Sequence, residues 1–289
     1  MAKSAAEAEV EKMKLLEERI KAPSIWGRVP CGVRFEDLQD RRYEDAVSLL
    51  KKHFLPEEVT YRTIKISEDK EGVDEFIHNA RIWMKDKMSI AAVKEGTDKL
   101  VGVLIIRIQE KGMMFLSYRA NYARSFFAAF SRTFSRIKIK YNPKYSSVMT
   151  FYNLIEKPVN IFDHLDVKRY FKIYVLALKA RYRHRGIAKE MLKAAIALAT
   201  SATVPAISGI FTSGRLQQIG DELGFSKLNE IYYKRYLVDD QMVFVDAGQG
   251  NYGAALMAYR IPGVEEPEEL KPQHSSRFAF QIESIDVED

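Results

Sequence analysis

Two short runs of residues have the types and spacing to do chemistry. The first is Arg183-His184-Arg185-Gly186-Ile187-Ala188-Lys189, which joins an apolar stretch ending at Leu178 to an amphipathic one. Gly186 and Ala188 leave little side chain over the first turn of the helix expected there. Free backbone N–H groups on that turn can cradle phosphate oxygens, and the helix dipole favours their charge. Arg183 and Arg185 add cationic donors beside the cradle. Arg-x-x-Gly-x-Ala is weak by itself. Its weight comes from the strand before it and the helix after it; the plain alternative is a basic surface turn. The second run is Glu57-Glu58, just past Pro56. A carboxylate entering a site there could act as a general base, although such acid pairs are more often solvated.

The elements around these runs follow from periodicity and breakers. A short strand is expected over 32–35 and a helix over 42–54, ended by Pro56. An amphipathic helix follows over 72–87, then strands over 89–94 and 100–108 joined by the hairpin turn Glu95-Gly96-Thr97-Asp98. Later come a buried strand over 170–178, the helix of the phosphate loop over 186–200 and a strand over 206–211. A short helix over 214–223 stops at Gly224, and two last strands cover 226–237 and 252–261. Residues 111–150 interleave aromatics with cations and read as a helical insertion near the acceptor side; 151–166 are mixed, with Pro158 as a breaker. The order is that of an α+β, mixed-sheet domain over 30–262. A helical extension precedes it (1–29) and an acidic tail follows (263–289).

Composition narrows the class. The chain has 289 residues, 47% hydrophobic and 29% charged, which suits a globular domain with a sizeable core. One cysteine, Cys31, excludes an internal disulfide and points to a reducing, cytoplasmic setting. The five histidines show no metal-ligand spacing, so no metal is expected. The net charge of +6 suits an acidic partner: nucleic acid, anionic lipid or a polyphosphate cofactor. The stretch 194–211 lacks charge but contains Pro205 and polar residues, and reads as helix end, turn and strand rather than a membrane span. The aromatic–cationic segment from Tyr118 to Tyr145 is the feature that favours nucleic acid; its three- and four-residue Phe spacing suits burial better than base stacking.

The element order and Arg183–Ala188 resemble the GNAT superfamily of N-acetyltransferases, as does the unit from Phe211-Thr212-Ser213-Gly214 to Leu223-Gly224-Phe225. The resemblance spans about residues 30–262 and is nearer to the insect arylalkylamine (dopamine) N-acetyltransferase-like group. Arg41-Arg42-Tyr43-Glu44-Asp45-Ala46 ahead of Phe54-Leu55-Pro56-Glu57-Glu58 carries that similarity, with Asn160-Ile161-Phe162 and Leu256-Met257-Ala258. It implies a central mixed, mostly antiparallel sheet flanked by helices, with acetyl-CoA as cofactor. The expected acceptor is a small primary amine, an arylalkylamine by that resemblance, and neither nucleic acid nor membrane is an expected partner. By position it makes Glu58, not Glu57, the base. It sets a backbone N–H donor for the oxyanion on Leu176, Ala177 or Leu178, and points to Arg183–Lys189 for the cofactor's phosphates. For the departing thiolate the pattern is incomplete. A Tyr used by many GNAT enzymes falls at Gly220, and a later serine of the insect group falls at Leu216. Thr212 and Ser213 match the first serine position. That gap keeps a second reading open: an acetyl-CoA-binding protein on this fold with little catalysis.

Overall fold

Near-continuous apolar runs along the central strands, and the three- to four-residue recurrence of apolar residues along the helices, produce a sheet covered on both faces. The structure is a computed structural model and describes residues 23–111 and 142–266. Along the chain come β1 (Ile25–Val29), β2 (Val33–Asp37), α1 (Tyr43–Leu49), a π-helical turn (Leu50–Phe54), α2 (Val59–Thr63) and α3 (Lys70–Met84). Next are β3 (Ile90–Lys94), β4 (Lys99–Glu110), α4 (Pro143–Glu156), α5 (Ile161–Leu165), β5 (Arg169–Leu178) and α6 (Ile187–Ser201). The chain closes with β6 (Ala206–Phe211), α7 (Gly214–Glu222), β7 (Ser226–Tyr232), β8 (Leu237–Val238), β9 (Gln241–Met242) and β10 (Gly253–Arg260).

Eight of these strands form one sheet in the order β1-β2-β3-β4-β5-β6-β10-β7. Its neighbours are antiparallel except β5 and β6, which run parallel. This is the α+β, mostly antiparallel architecture expected from the sequence. One face buries Leu49, Phe76 and Phe151 under α1–α4; the other buries Met191, Leu192, Ala195 and Ile219 under α6 and α7. Each large side chain taken fully out of water contributes roughly 1.5–3 kcal/mol. The uncharged stretch 194–211 is the end of α6, a turn and β6. Among the described residues no helix is long and apolar enough to cross a membrane.

Several boundaries differ from the sequence reading. Residues 25–29, assigned above to a helical extension, form the edge strand β1, in keeping with the β-forming Ile25, Trp26 and Val29. Residues 143–150, assigned to an insertion, are the first half of α4. Asn142 caps that helix, its Oδ1 accepting from Tyr145 N at 3.0 Å, and Pro143 opens it, an arrangement that Asn-Pro favours. Tyr145 is buried in the core, not presented to a nucleic acid. The remainder of that segment, 112–141, and residues 1–22 and 267–289 lie outside the described residues. The strand expected over 226–237 breaks at Tyr233–Arg235, where a 3-10 turn sends Tyr233 into the core.

Candidate active site

A parallel pair that parts makes the cleft. β5 and β6 are in register only through Phe171↔Ile207, Lys172↔Ser208 and Ile173↔Gly209. Beyond them the strands splay. On its other edge β5 skips one residue against β4: Ile105 faces Val175 and Ile106 faces Ile173, leaving Tyr174 as a bulge. A bulge adds twist and re-aims the side chains that follow. The opening is a cleft of about 630 Å³, running from the N-terminus of α6 to a wall of α4.

One end of the cleft is built by the start of α6. Gly186 is its N-cap at φ +75°, a left-handed conformation that a side chain would strain, and it brings no capping group. The N–H groups of Ile187, Ala188 and Lys189 in the first turn therefore have no intrahelical acceptor. Gly186, Ile187, Ala188, Lys189 and His184 all line the cleft. The cations are arranged differently from the sequence reading. Arg183 Nη2 donates to His53 O at 2.5 Å, Nε to Leu178 O at 3.2 Å, and Nη1 pairs with Glu57 at 3.2 Å. Arg183 is thus a brace between the π-helical turn and the end of β5, although it still lines the cleft. Arg185 is exposed and lies over the Tyr182 ring at 5.9 Å, with Arg181 also over that ring. Lys189 pairs with Glu222 at 2.8 Å.

Leu176, Ala177 and Leu178 line the middle of the cleft. Lys179 donates its N–H to Val101 O on the β4 side at 2.9 Å. By the two-residue alternation of a strand, the N–H groups of Leu176 and Leu178 point the opposite way, into the gap.

Glu58 enters from the other wall. The π-helical turn ends at Phe54, Pro56 stops the helix, and Glu58 caps α2. Its Oε2 accepts from Tyr61 N at 2.9 Å and from the Thr60 hydroxyl at 2.7 Å. Oε1 is buried without a hydrogen-bond partner. Burial raises the Glu58 pKa, against the lowering effects of the Thr212 side chain, Tyr61 and Thr60. Thr212 stands beside the carboxyl but falls short of good hydrogen-bond geometry to Oε1. Glu57, by contrast, is exposed and paired with Arg183. Thr60 also shares a 2.8 Å hydrogen bond with Tyr152 Oη, so a hydroxyl chain links Glu58 to α4.

Ser213 caps α7 by accepting from Leu216 N at 3.2 Å, and keeps its own O–H free to donate. The backbone of Thr212 is held by the buried Tyr233 hydroxyl, which donates to Thr212 O at 2.5 Å. A loop binds the two walls together: Arg62 of α2 donates to Ala247 O at 2.9 Å, and Asn251 accepts from Gly214 N at 3.1 Å. Gly220 faces inward, and a Cβ there would sit 2.6 Å from the Phe211 ring and 3.1 Å from Met257. A tyrosine therefore has no room at this position. Gly220→Tyr should lower the melting temperature, since overpacking of this kind costs about 1–3 kcal/mol, and should bring no gain in any acyl-transfer rate. A faster, equally stable variant would contradict this packing argument.

The far wall was not read from the sequence. α4 turns Met149, Tyr152, Asn153 and Glu156 to the cleft at helical spacing. Trp83 stacks on Tyr174 with centroids 4.6 Å apart, and Phe54 and Tyr61 add further rings. The capping signal Asn142-Pro143 and the three-to-four spacing after it could have exposed α4. Nothing local marks Thr60, Trp83 or Lys172. His53 also lines the cleft; burial, then Arg183, hold its imidazole below the usual pKa.

No family model matches the chain, and no curated protein matches its sequence. Solved structures do match by fold. Arylalkylamine N-acetyltransferase 2 of the mosquito Aedes aegypti is 20% identical, over 79% of this chain and 99% of the other, with a TM-score of 0.68. A protein assigned as arylalkylamine N-acetyltransferase 7 of the yellow fever mosquito is 22% identical, over 82% and 95%, at 0.67. A polyamine N-acetyltransferase of Drosophila melanogaster that forms N-acetylagmatine is 14% identical, over 79% and 100%, at 0.58. At these identities the likeness speaks to architecture alone. The chain has the fold of the GNAT N-acetyltransferases.

Proposed function

We propose that this protein is an acyltransferase that moves an acetyl group from acetyl-CoA to a primary amine, with Glu58 as general base and a small arylalkylamine as acceptor. The observation that carries the reading is Glu58 Oε1. It is a buried carboxylate oxygen without a protein partner, on the wall of a cleft headed by the bare first turn of α6. A carboxylate oxygen buried without a donor is costly unless one visits it.

Acetyl-CoA supplies the activated acyl group as a thioester. The residues of this chain do the rest. The N–H groups of Ile187, Ala188 and Lys189 hold a pyrophosphate at the helix N-terminus. The N–H groups of Leu176 and Leu178 face the position where an acyl oxygen gathers charge. Glu58 Oε1 accepts a proton from the incoming ammonium, directly or through one water. Thr212 and Ser213 provide the hydroxyls on the β6 side of the cleft, where sulfur departs. Trp83, Tyr152 and Tyr174 give an aromatic amine an apolar wall.

One observation favours the second reading, binding with little catalysis. Neither Gly220 nor Leu216, where hydroxyls would be expected, has one. Thiol release from acetyl-CoA with a panel of arylalkylamines decides between them: turnover supports the enzyme, whereas tight acetyl-CoA binding without turnover supports the binder. Ser213→Ala separates its two roles. Loss of the cap should cost about 0.5–2 kcal/mol of stability. If Ser213 also protonates sulfur, acetylation should fall well beyond what unfolding at the assay temperature explains; if Thr212→Val alone carries the loss, the donor is Thr212.

A further inference from the structure

The acceptor end of the cleft holds an ion pair in an aromatic setting. Lys172 Nζ lies 2.5 Å from Glu156 Oε1 and 5.3 Å from the centre of the Tyr174 ring. Both side chains are largely shielded, at 22% and 28% exposure, and both line the cleft. Lys172 comes from β5 at the last rungs of the parallel pair, and Glu156 from the cleft-facing stripe of α4, one turn beyond Tyr152. A turn is about 5.4 Å along a helix, so Glu156 is the next acid along the wall from Glu58, which Tyr152 reaches through Thr60. Burial pulls the Lys172 pKa down, but Glu156 and the neighbouring tyrosines outweigh it and leave the ammonium firmly charged.

The charges of the cleft can be paired off. Glu57 is held by Arg183 and Glu156 by Lys172, while Glu58 has no cationic partner among the described residues. A shielded ion pair adds little net stability over apolar side chains of the same size, so stability does not account for this one. What it changes is the charge that a bound molecule meets. Without Lys172 the cleft would offer two bare acids in series and would suit a diamine.

We propose that Lys172 is the acceptor-selectivity residue of this cleft: by neutralising Glu156 it confines the cleft to amines with a single positive charge and an apolar or aromatic tail. The inference rests on the amine-acceptor reading above but concerns binding, so it can be tested apart from catalysis. Calorimetry with phenethylamine and with 1,4-diaminobutane should show the parent protein preferring phenethylamine at least tenfold. Lys172→Met should shift that ratio towards the diamine by a further factor of ten or more, because Glu156 is now bare. Lys172→Met with Glu156→Gln should restore the parent preference. Glu156→Gln alone, which leaves Lys172 unpaired, should weaken both amines and the diamine more. An equal affinity of the parent for both amines, an unchanged ratio in Lys172→Met, a shift that persists in the double variant, or no amine binding at all would each overturn the proposal. Acetyl transfer is then measured on the same samples. The predicted selectivity without any transfer would sink the catalytic reading and leave this one standing; transfer with no selectivity shift would do the reverse.

Discussion

Glu58→Gln should retain the fold and the affinity for acetyl-CoA while losing a factor of about 10²–10⁴ in acetylation rate, the usual size of general-base catalysis. Gln keeps the shape and can still accept from Tyr61 N at the start of α2, where Glu58 Oε2 now accepts at 2.9 Å. It cannot take a proton at Oε1, the oxygen without a partner. The pH dependence carries a sign. Burial raises the Glu58 pKa, so the carboxylate forms at higher pH than an ordinary glutamate, and kcat/KM should climb through that raised value. The Gln variant should lack this rise, and its defect should shrink at high pH, where amine arrives already deprotonated. Stability runs the other way. Between the ordinary and the raised pKa the folded state binds more protons than the unfolded one, so stability falls as pH rises. Glu58→Gln removes that penalty and should melt no lower than the parent at pH 8. Glu57→Gln, at an exposed acid, should do little to the rate. Equal small losses in both variants would remove Glu58 from the chemistry and favour the binding-only reading.

Gly186→Asp should weaken acetyl-CoA at least tenfold, about 1.4 kcal/mol. Gly186 sits at φ +75° on the lining of the cleft with open space where a Cβ would stand, so the new side chain would not strike protein. It would set a negative charge against the first turn of α6, where the N–H groups and the helix dipole favour a phosphate. Gly186→Asn provides the control. Asn tolerates the left-handed conformation about as well as Asp and has the same shape without the charge. Calorimetry should therefore find Asn close to the parent and Asp far weaker. Two variants equally weakened would point to backbone strain, and two unaffected variants would move the phosphate site elsewhere.

The legible parts of this protein are those governed by neighbours along the chain. Gly96 and Asp98 had to turn a hairpin, Gly186 had to open a helix after an apolar strand, and the stripe of Ile187, Met191, Leu192, Ala195 and Leu198 had to face a sheet. Those local rules placed the start of α6 and the order of the elements. They did not reach further, because charge, burial and partner choice depend on residues far apart in sequence. Glu57 and Glu58 are adjacent and chemically alike; only the packing of α2 against α4 and the loop at Ala247 buries one and leaves the other to Arg183. Arg183 looked like a phosphate ligand, yet its donors go to His53, 130 residues earlier, and to Leu178. The far wall of the cleft is the clearest case. Trp83, Tyr152, Glu156 and Lys172 come from α3, α4 and β5, and none has a spacing that singles it out. They meet because β5 and β6 part after Ile173, which opens a space that only non-local contacts can line.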